Sequence, residues 1–355
     1  MGADPVGVAG AALRRHVAHA RLTERVPIAY DAYLIGRSVE RVTGVATTPG
    51  GQTLSWTAIV KRTRGPGLRS ARRELAVYRH GIASASSDAG LRPARLLGWR
   101  EDLDEVELWL DEVRDEHGGD WSLERFGAAA GHIAAWDVDA ARKALPADFD
   151  SEDAWAERHG QPEKVTEALT ELDVLAGRWA LESLPRELDD PGFARTRALI
   201  ASTARRIELL SAFPQTPLHH DLVRSNLFAV SDDTTVAIDW ENLGRGPLGV
   251  DLAPLVVGSV RRGEASSEQL KELESVVLAG YLQVLRGGGV AADEDVRRAY
   301  RLAVGLRWHV VLGTIRSSID ANYPSFRGSR RDEPREEALR HLLALSRYIL
   351  DVGLG

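Results

Sequence analysis

Not one of the 355 residues is a cysteine. That absence removes disulfides, thiolate nucleophiles and cysteine-ligated zinc from consideration. No run approaches the roughly 18 consecutive apolar residues of a membrane-spanning helix. The opening stretch, MGADPVGVAGAALRRHVAHA, lacks the long apolar run of a secretory signal, and Val6 stands where an N-myristoylation signal needs Ser or Thr. No segment is rich in Lys and Arg and the formal charge is -7, which argues against a broad nucleic-acid or anionic-membrane footprint. The expectation is a cytoplasmic protein that binds neither nucleic acid nor membrane. What is present, 44% apolar and 27% charged residues, is ordinary for a globular chain. Its length suits two lobes or one large domain.

Residues 8–22 have the spacing of a short amphipathic helix, and VPIAYDAYLIGRSVERVTGV then offers two β-rich runs around Gly36-Arg37-Ser38. After the turn signal Thr47-Thr48-Pro49-Gly50-Gly51, residues Leu54 to Lys61 alternate and end on a lysine, completing an antiparallel three-stranded start. The period then changes: Leu68, Ala71, Leu75, Tyr78 and Ile82 line one helix face with Glu74 beside it. Arg95 to Arg100 and Val106 to Leu110 read as further strands. Asp111-Glu112-Val113 and the nearby DEHGGDW read as a linker.

Beyond the linker, helical spacing predominates at Trp121 to Trp136 and at residues 164–178, 191–210, 251–260, 266–286, 293–315 and 334–351. Ser266 and Gln269 resemble a capping box, Gly287-Gly288-Gly289 marks a stop, and Ile319 to Glu336 reads as an exposed loop. The chain is therefore expected to be α+β, with a small β-rich N-terminal lobe at 1–113 and a larger helical C-terminal lobe at 114–355.

One stretch interrupts the helices: PLHHDLVRSNLFAVSDDTTVAIDWENLGRGPLGVDLAPL, from Pro217 to Leu255. If Asp221 ends an extended segment and Leu227 to Val230 form a strand, the interval to Asn226 is a tight loop that returns the amide oxygen towards the carboxylate. Asp233 to Thr235 turns the chain, and Val236-Ala237-Ile238 runs back as a hairpin partner delivering Asp239. Three oxygen donors then share one end of the hairpin. Mg²⁺ takes one or two carboxylates plus substrate phosphates, so Asn226 and Asp239 suffice as protein ligands. Asp221 is left to accept a proton from an attacking hydroxyl.

HHDLVRSNLF followed by AIDWENLGRGPLGVDLAPL resembles the aminoglycoside phosphotransferase and choline kinase-like family, whose signature is His-x-Asp-x4-Asn followed by a strand ending in an Asp-containing motif. The resemblance implies a bilobal protein-kinase-like fold and transfer of the γ-phosphoryl group of ATP or GTP, with Mg²⁺, to a hydroxyl of a small molecule. It makes Asp221 the catalytic base, His219 the histidine that buttresses the catalytic loop, and Asn226 and Asp239 the metal ligands. Asp251 becomes a structural carboxylate tying that loop to the following helix. In the N-terminal lobe, Lys61 resembles the phosphate-binding lysine and Glu74 its ion-pair partner. Gly36 and Ser38 occupy the turn where a nucleotide-positioning loop would lie, without a full Gly-x-Gly-x-x-Gly. Main-chain groups near Asp111 and Val113 would meet the adenine. His220 replaces a usual small residue, and Trp240-Glu241 stands where protein kinases have Phe-Gly.

The acceptor is open among antibiotics, sugars, amino alcohols and related metabolites, and the chain is expected to be a monomer or homodimer. Asp115, Glu116 and Asp120 are either solvated loop charges or an attraction for a cationic substrate, and Arg327, Arg330 and Arg331 read as a solvated loop. Two other functions compete. One is a non-catalytic kinase-like nucleotide-binding module. The other is an HD-type metal phosphohydrolase, which needs His220-Asp221 on a helix, a placement that Pro217 and the β-type residues after the pair oppose.

Overall fold

The computed structural model describes residues 4–28, 36–84, 90–116, 118, 120–143, 145–147, 149–150, 160–181, 192–320 and 333–355. Helix α1, Pro5–Leu13, starts where the Asp4 carboxylate accepts the Val6 and Gly7 amides at 2.9 Å. It ends at Arg14, whose φ of 51° is left-handed. The helix predicted over 8–22 is therefore cut short, and β1, His19–Pro27, takes the following residues into the sheet. Strand pairing across to β2, Arg37–Thr47, overrides the weak helical spacing there.

The sheet has the order β1-β2-β3-β6-β5 and is antiparallel throughout, with β3 at Thr53–Arg64, β5 at Leu96–Glu101 and β6 at Glu105–Leu110. Alternation along β3 sends Ala58 and Val60 to one face, where they pack with Trp56, Val42 and the Val8 and Ala9 of α1. Ile59 and Lys61 point to the other face. There α2, Leu68–Arg79, presents Ala71 and Leu75 to Val106, Leu108 and Leu110. Glu74 lies on this same buried helix stripe. The two periodicities, two on the strand and 3.6 on the helix, thus aim Lys61 and Glu74 at each other.

A second, three-stranded sheet has the order β4-β9-β8. The hairpin of β8, Leu227–Ser231, and β9, Thr234–Ala237, is antiparallel, and β4, Leu91–Pro93, joins β9 in parallel. Three residues between the two halves of the larger sheet thus bind the N-terminal part of the chain to the central hairpin. A short pair forms from β7, Thr216–Leu218, and β10, Gly244–Gly246.

The rest is helical: α3 at Leu123–Ala140, α4 at Pro162–Leu181, α5 at Phe193–Ala201, α6 at Thr203–Ser211, α7 at Leu270–Gly288, α8 at Asp293–Gly305, α9 at Trp308–Ile319 and α10 at Arg335–Leu354. The spans expected as single helices at 191–210 and 293–315 are each divided, at Ser202 and at Leu306-Arg307. The predicted capping box is a simpler cap: Ser266 Oγ accepts the Glu268 amide at 3.2 Å over a 3₁₀ turn, Ser267–Gln269, that leads into α7. Gly289, with φ of 64°, ends α7 as the glycine run predicts. Residues 321–332, which include Arg327, Arg330 and Arg331, lie outside the described residues. No helix of the described residues is long and apolar enough to cross a membrane.

Candidate active site

The Lys61 ammonium donates to Glu74 Oε2 at 2.7 Å and also to Asp239 Oδ1. Glu241 Oε2 lies 3.8 Å from the same nitrogen. Burial works against the ammonium charge, but Asp239, Glu74 and Glu241 together outweigh it and hold Lys61 well above the usual lysine range. For Asp239, burial pushes the carboxyl up, and the Lys61 charge overcomes this and keeps it below its ordinary value. Glu74 is fully buried, and burial against the pull of Lys61 leaves it raised to about 7. Lys61 thus faces three carboxylates, of which Glu241 is also paired with Arg37 at 2.6 Å.

The hairpin register explains how Asn226 joins this group. Leu227 pairs with Ala237 and the Ile238 amide donates to the Asn226 carbonyl at 3.0 Å, so Asn226 and Asp239 leave the same end of the hairpin. Asn226 Nδ2 donates to the Asp221 carbonyl at 2.8 Å and lies 3.4 Å from Asp221 Oδ2. That bond closes the five-residue loop and commits the amide nitrogen to the loop, so Oδ1 is the atom Asn226 offers a cation. An amide oxygen and a carboxylate are the hard donors a small divalent cation takes, and both residues are partly exposed. Asp221, Asn226 and Asp239 are thus brought to one edge, with Lys61 and Glu74 facing them.

His219 is a brace. Its Nδ1 accepts the Asp221 amide at 3.3 Å, which places the proton on Nε2, and Nε2 donates to the Ile238 carbonyl at 2.9 Å. Fully buried, it packs 4.5 Å from Trp240, which in turn packs 5.3 Å from Trp136. Asp251 accepts the His219 and His220 amides on its two oxygens, each at 2.8 Å. These bonds hold His220 at φ 66°, a left-handed conformation that costs a non-glycine residue roughly 1–2 kcal/mol. Burial, opposed by those two amides, raises Asp251 to about 7. His220-Asp221 follows a strand and precedes a 3₁₀ turn, so the helical pair required by the phosphohydrolase alternative is not formed.

The residues expected to meet a nucleotide are placed less uniformly. Gly36, at φ 85°, ends the turn before β2, and a Cβ there would meet the Arg64 carbonyl at 2.4 Å. Ser38 lies within β2, paired with Arg62, rather than in the turn where the sequence suggested it. Residues 29–35 lie outside the described residues. In the linker, the Asp111 amide already donates to the Arg95 carbonyl at 2.8 Å and its carboxylate pairs with Arg95 at 3.0 Å. The Asp111 N–H is therefore spent within the protein. Val113 follows on a half-buried stretch anchored by the Glu112–Arg41 ion pair at 2.5 Å.

Several residues here escape sequence reading. Arg37 places NH1 2.6 Å from Glu241 and NH2 2.7 Å from Ser70, joining β2 to the segment after Asp239. A carboxylate two residues after Asp239 was the available signal for Glu241. Asp115 corrects the reading of a solvated loop charge: its side chain is buried against Arg224 at 2.9 Å and Trp121 Nε1 at 3.0 Å. Arg224 stacks over the Trp121 ring at 4.7 Å and donates to the Gly118 carbonyl. The linker is thereby bolted to the loop that carries Asn226.

A cavity of about 380 Å³ adjoins that loop, lined by Asp120, Trp121, Glu264, Glu268, Glu337 and His341 among others. Glu264 Oε2 accepts the amide of Ser225, the residue before Asn226, at 3.2 Å. Four of the lining side chains are carboxylic and one, Arg340, is cationic, and Glu264 is paired with Arg262 at 3.1 Å.

The chain matches the profile of the Phosphotransferase enzyme family over residues 45–288. No curated protein matches it. Among solved structures, an aminoglycoside phosphotransferase from Alicyclobacillus acidocaldarius is similar at 14% identity, covering 93% of this chain and 93% of its own, with a TM-score of 0.52. A microcompartment-associated aminopropanol kinase is similar at 16% identity over 95% of this chain and 94% of its own, with a TM-score of 0.47. The amicoumacin kinase hAmiN, solved with AMP-PNP, Ca²⁺ and Ami, is similar at 13% over 94% and 90%, with a TM-score of 0.47. The first of these likenesses speaks for the fold, an antiparallel sheet joined to a helical part. With a profile match that spans the lysine strand, the linker and the whole central stretch, this chain belongs to the Phosphotransferase enzyme family.

Proposed function

We propose that this phosphotransferase moves the γ-phosphoryl group of ATP or GTP to a hydroxyl of a small molecule. The observation that carries the reading is the Lys61 ammonium held between Glu74 and Asp239 at the end of the hairpin that also presents Asn226 and Asp221. A buried ammonium kept charged by carboxylates suits the α- and β-phosphates of a nucleotide as a point charge, and Glu74 fixes where it sits. Asn226 and Asp239 would hold Mg²⁺, which when bound offsets the charge on the phosphates. Asp221 orients the acceptor hydroxyl and accepts its proton, with the carboxylate steered by the Asn226 side chain and the backbone by His219. Acting through Asp221, His219 is a positioning residue. The adenine would lie along the linker at Asp111 and Val113, where the Asp111 carbonyl rather than its spent amide is the group on offer. A non-catalytic module needs no Asp221–Asn226 pair beside a charged lysine, and this favours the enzyme.

The cavity beside Ser225, where Asp120, Glu264, Glu268 and Glu337 outnumber Arg340, supports an acceptor that carries an amino group. The reading is tested by screening amino sugars, amino alcohols, neutral sugars and antibiotics with γ-labelled ATP and Mg²⁺ and following label into the acceptor. Label in an amino-bearing alcohol supports it. Label confined to neutral acceptors removes the role given to the cavity, and no label in any acceptor removes the transferase reading.

A further inference from the structure

The same turn of α3 reaches the catalytic loop by two routes. Trp136 does so through stacked rings, with Trp240 at 5.3 Å and His219 a further 4.5 Å on. Its neighbour Asp137 does so through hydrogen bonds. Asp137 Oδ2 accepts the Tyr281 hydroxyl at 2.6 Å, and the Tyr281 oxygen accepts the Gly249 amide at 3.2 Å. Two residues later Asp251 accepts the His219 and His220 amides.

Each link is held rigidly. Helices α3 and α7 approach backbone to backbone, since a Cβ on Gly280 would stand 2.1 Å from the Gly127 carbonyl. That contact fixes Tyr281, the next residue, relative to α3. Gly249 has φ of 93°, and a Cβ there would stand 2.7 Å from the Val296 carbonyl, so its turn is wedged against α8.

Asp137 is a costly residue to keep in such a place. It is fully buried and its Oδ1 has no hydrogen-bond partner among the described residues. Burial, reinforced by the nearby Asp251, pushes its carboxyl well above the usual range. An aliphatic side chain would fill the space without that penalty but would leave the Tyr281 hydroxyl no acceptor. The polar group therefore serves the hydroxyl, and the hydroxyl serves the Gly249 amide.

We propose that Asp137 is a positioning residue for the catalytic loop, acting through the Tyr281 hydroxyl and the Gly249 amide to fix Asp251 and with it the backbone that carries Asp221. This rests on residues 219–226 being the catalytic loop. The strained φ of His220 is what the tether holds, so its release lets Asp221 shift while Lys61, Glu74 and the linker stay in place.

The test is hydrogen exchange in the full-length chain, comparing wild type with Tyr281→Phe, Asp137→Ala and Asp137→Asn. The first two are expected to speed exchange in segment 217–226 by roughly tenfold or more, with segment 53–64 unchanged. Asp137→Asn keeps an oxygen for Tyr281 and is expected to restore near-wild-type protection. Turnover of Mg-ATP with water as acceptor is expected to fall about 10- to 100-fold in Tyr281→Phe, as for a displacement of around 1 Å, while ATP affinity stays within about twofold. Unchanged exchange at 217–226 in folded Tyr281→Phe, or acceleration spread equally over 53–64, overturns the proposal. So does failure of Asp137→Asn to rescue. If wild type turns over no ATP with any acceptor while the exchange pattern holds, the tether stands and the catalytic reading of the loop falls.

Discussion

Replacing Lys61 with methionine removes the ammonium shared by Glu74, Asp239 and Glu241 and leaves a side chain of similar length. The lysine side chain is 11% exposed and Glu74 wholly buried, so this is the loss of one partner from a buried ion pair, about 3–5 kcal/mol. For 355 residues the unfolding entropy near 60 °C is about 0.75 kcal/mol/K, so Tm should fall by about 4–7 °C at pH 8. The fall should depend on pH in a defined direction. In the intact protein Asp239 sits below its ordinary value of 3.8, so its contribution is present above 3.8 and is lost as pH falls through the lower folded value. Glu74 is raised from 4.5 to about 7; the folded chain keeps a proton that the unfolded chain gives up, and stability falls as pH rises from 4.5 to 7. Without Lys61, Glu74 loses its counter-charge and Asp239 keeps only weaker pulls such as that of Arg37, so burial acts on both carboxyls with less opposition. The deficit of the variant is therefore largest at pH 8 and shrinks towards pH 5. Carboxylate oxygens of Glu74, Asp239 and Glu241 lie within 4.8 Å of one another, so Mn²⁺ without nucleotide should rescue the variant more than it stabilises wild type. At 100 times Kd that rescue is about 2.7 kcal/mol, or around 4 °C. Thermal unfolding across pH 5–8, with and without Mn²⁺, measures both effects. A deficit independent of pH and indifferent to Mn²⁺ would refute the charge account of the site.

His220→Gly is expected to keep phosphoryl transfer within several-fold of wild type, because glycine takes the left-handed backbone without strain and the amide bond to Asp251 survives; a steady-state rate assay checks this, and abolished activity would give the imidazole a chemical role. Asp115→Ala leaves the Arg224 guanidinium buried without its carboxylate and should cost about 3–5 kcal/mol, read as a lowered midpoint in denaturant titration. An unchanged midpoint would mean that the linker is not held by this pair to the loop that carries Asn226.

What could be read in the sequence was what repeats or sits at fixed spacing. Lys61 and Glu74 follow from a period of two meeting a period of 3.6, and the Asp221, Asn226 and Asp239 arrangement follows from loop and hairpin lengths. Contacts made across long separations by residues of ordinary surface type were hidden. Arg37 meets Glu241, Asp115 meets Arg224 and Asp137 meets Tyr281, and nothing local to either partner announces the pair. Strand β4 has only three residues and exists because Ala237 and its neighbours lie alongside. Ser38 was expected in the turn but pairs with Arg62 within β2, because a glycine marks a turn without fixing which of the residues after it join the strand.

The central claim, that the Asp221 carboxylate serves a hydroxyl beside a phosphate site built on Lys61, Asn226 and Asp239, is met most directly by one comparison. Phosphoryl transfer from γ-labelled ATP to the best acceptor, and ATP affinity by calorimetry, are measured for wild type and Asp221→Ala side by side. The account predicts that transfer falls by at least about 10²-fold while ATP affinity stays within about threefold. Transfer that survives the substitution, or ATP affinity that collapses with it, would contradict it.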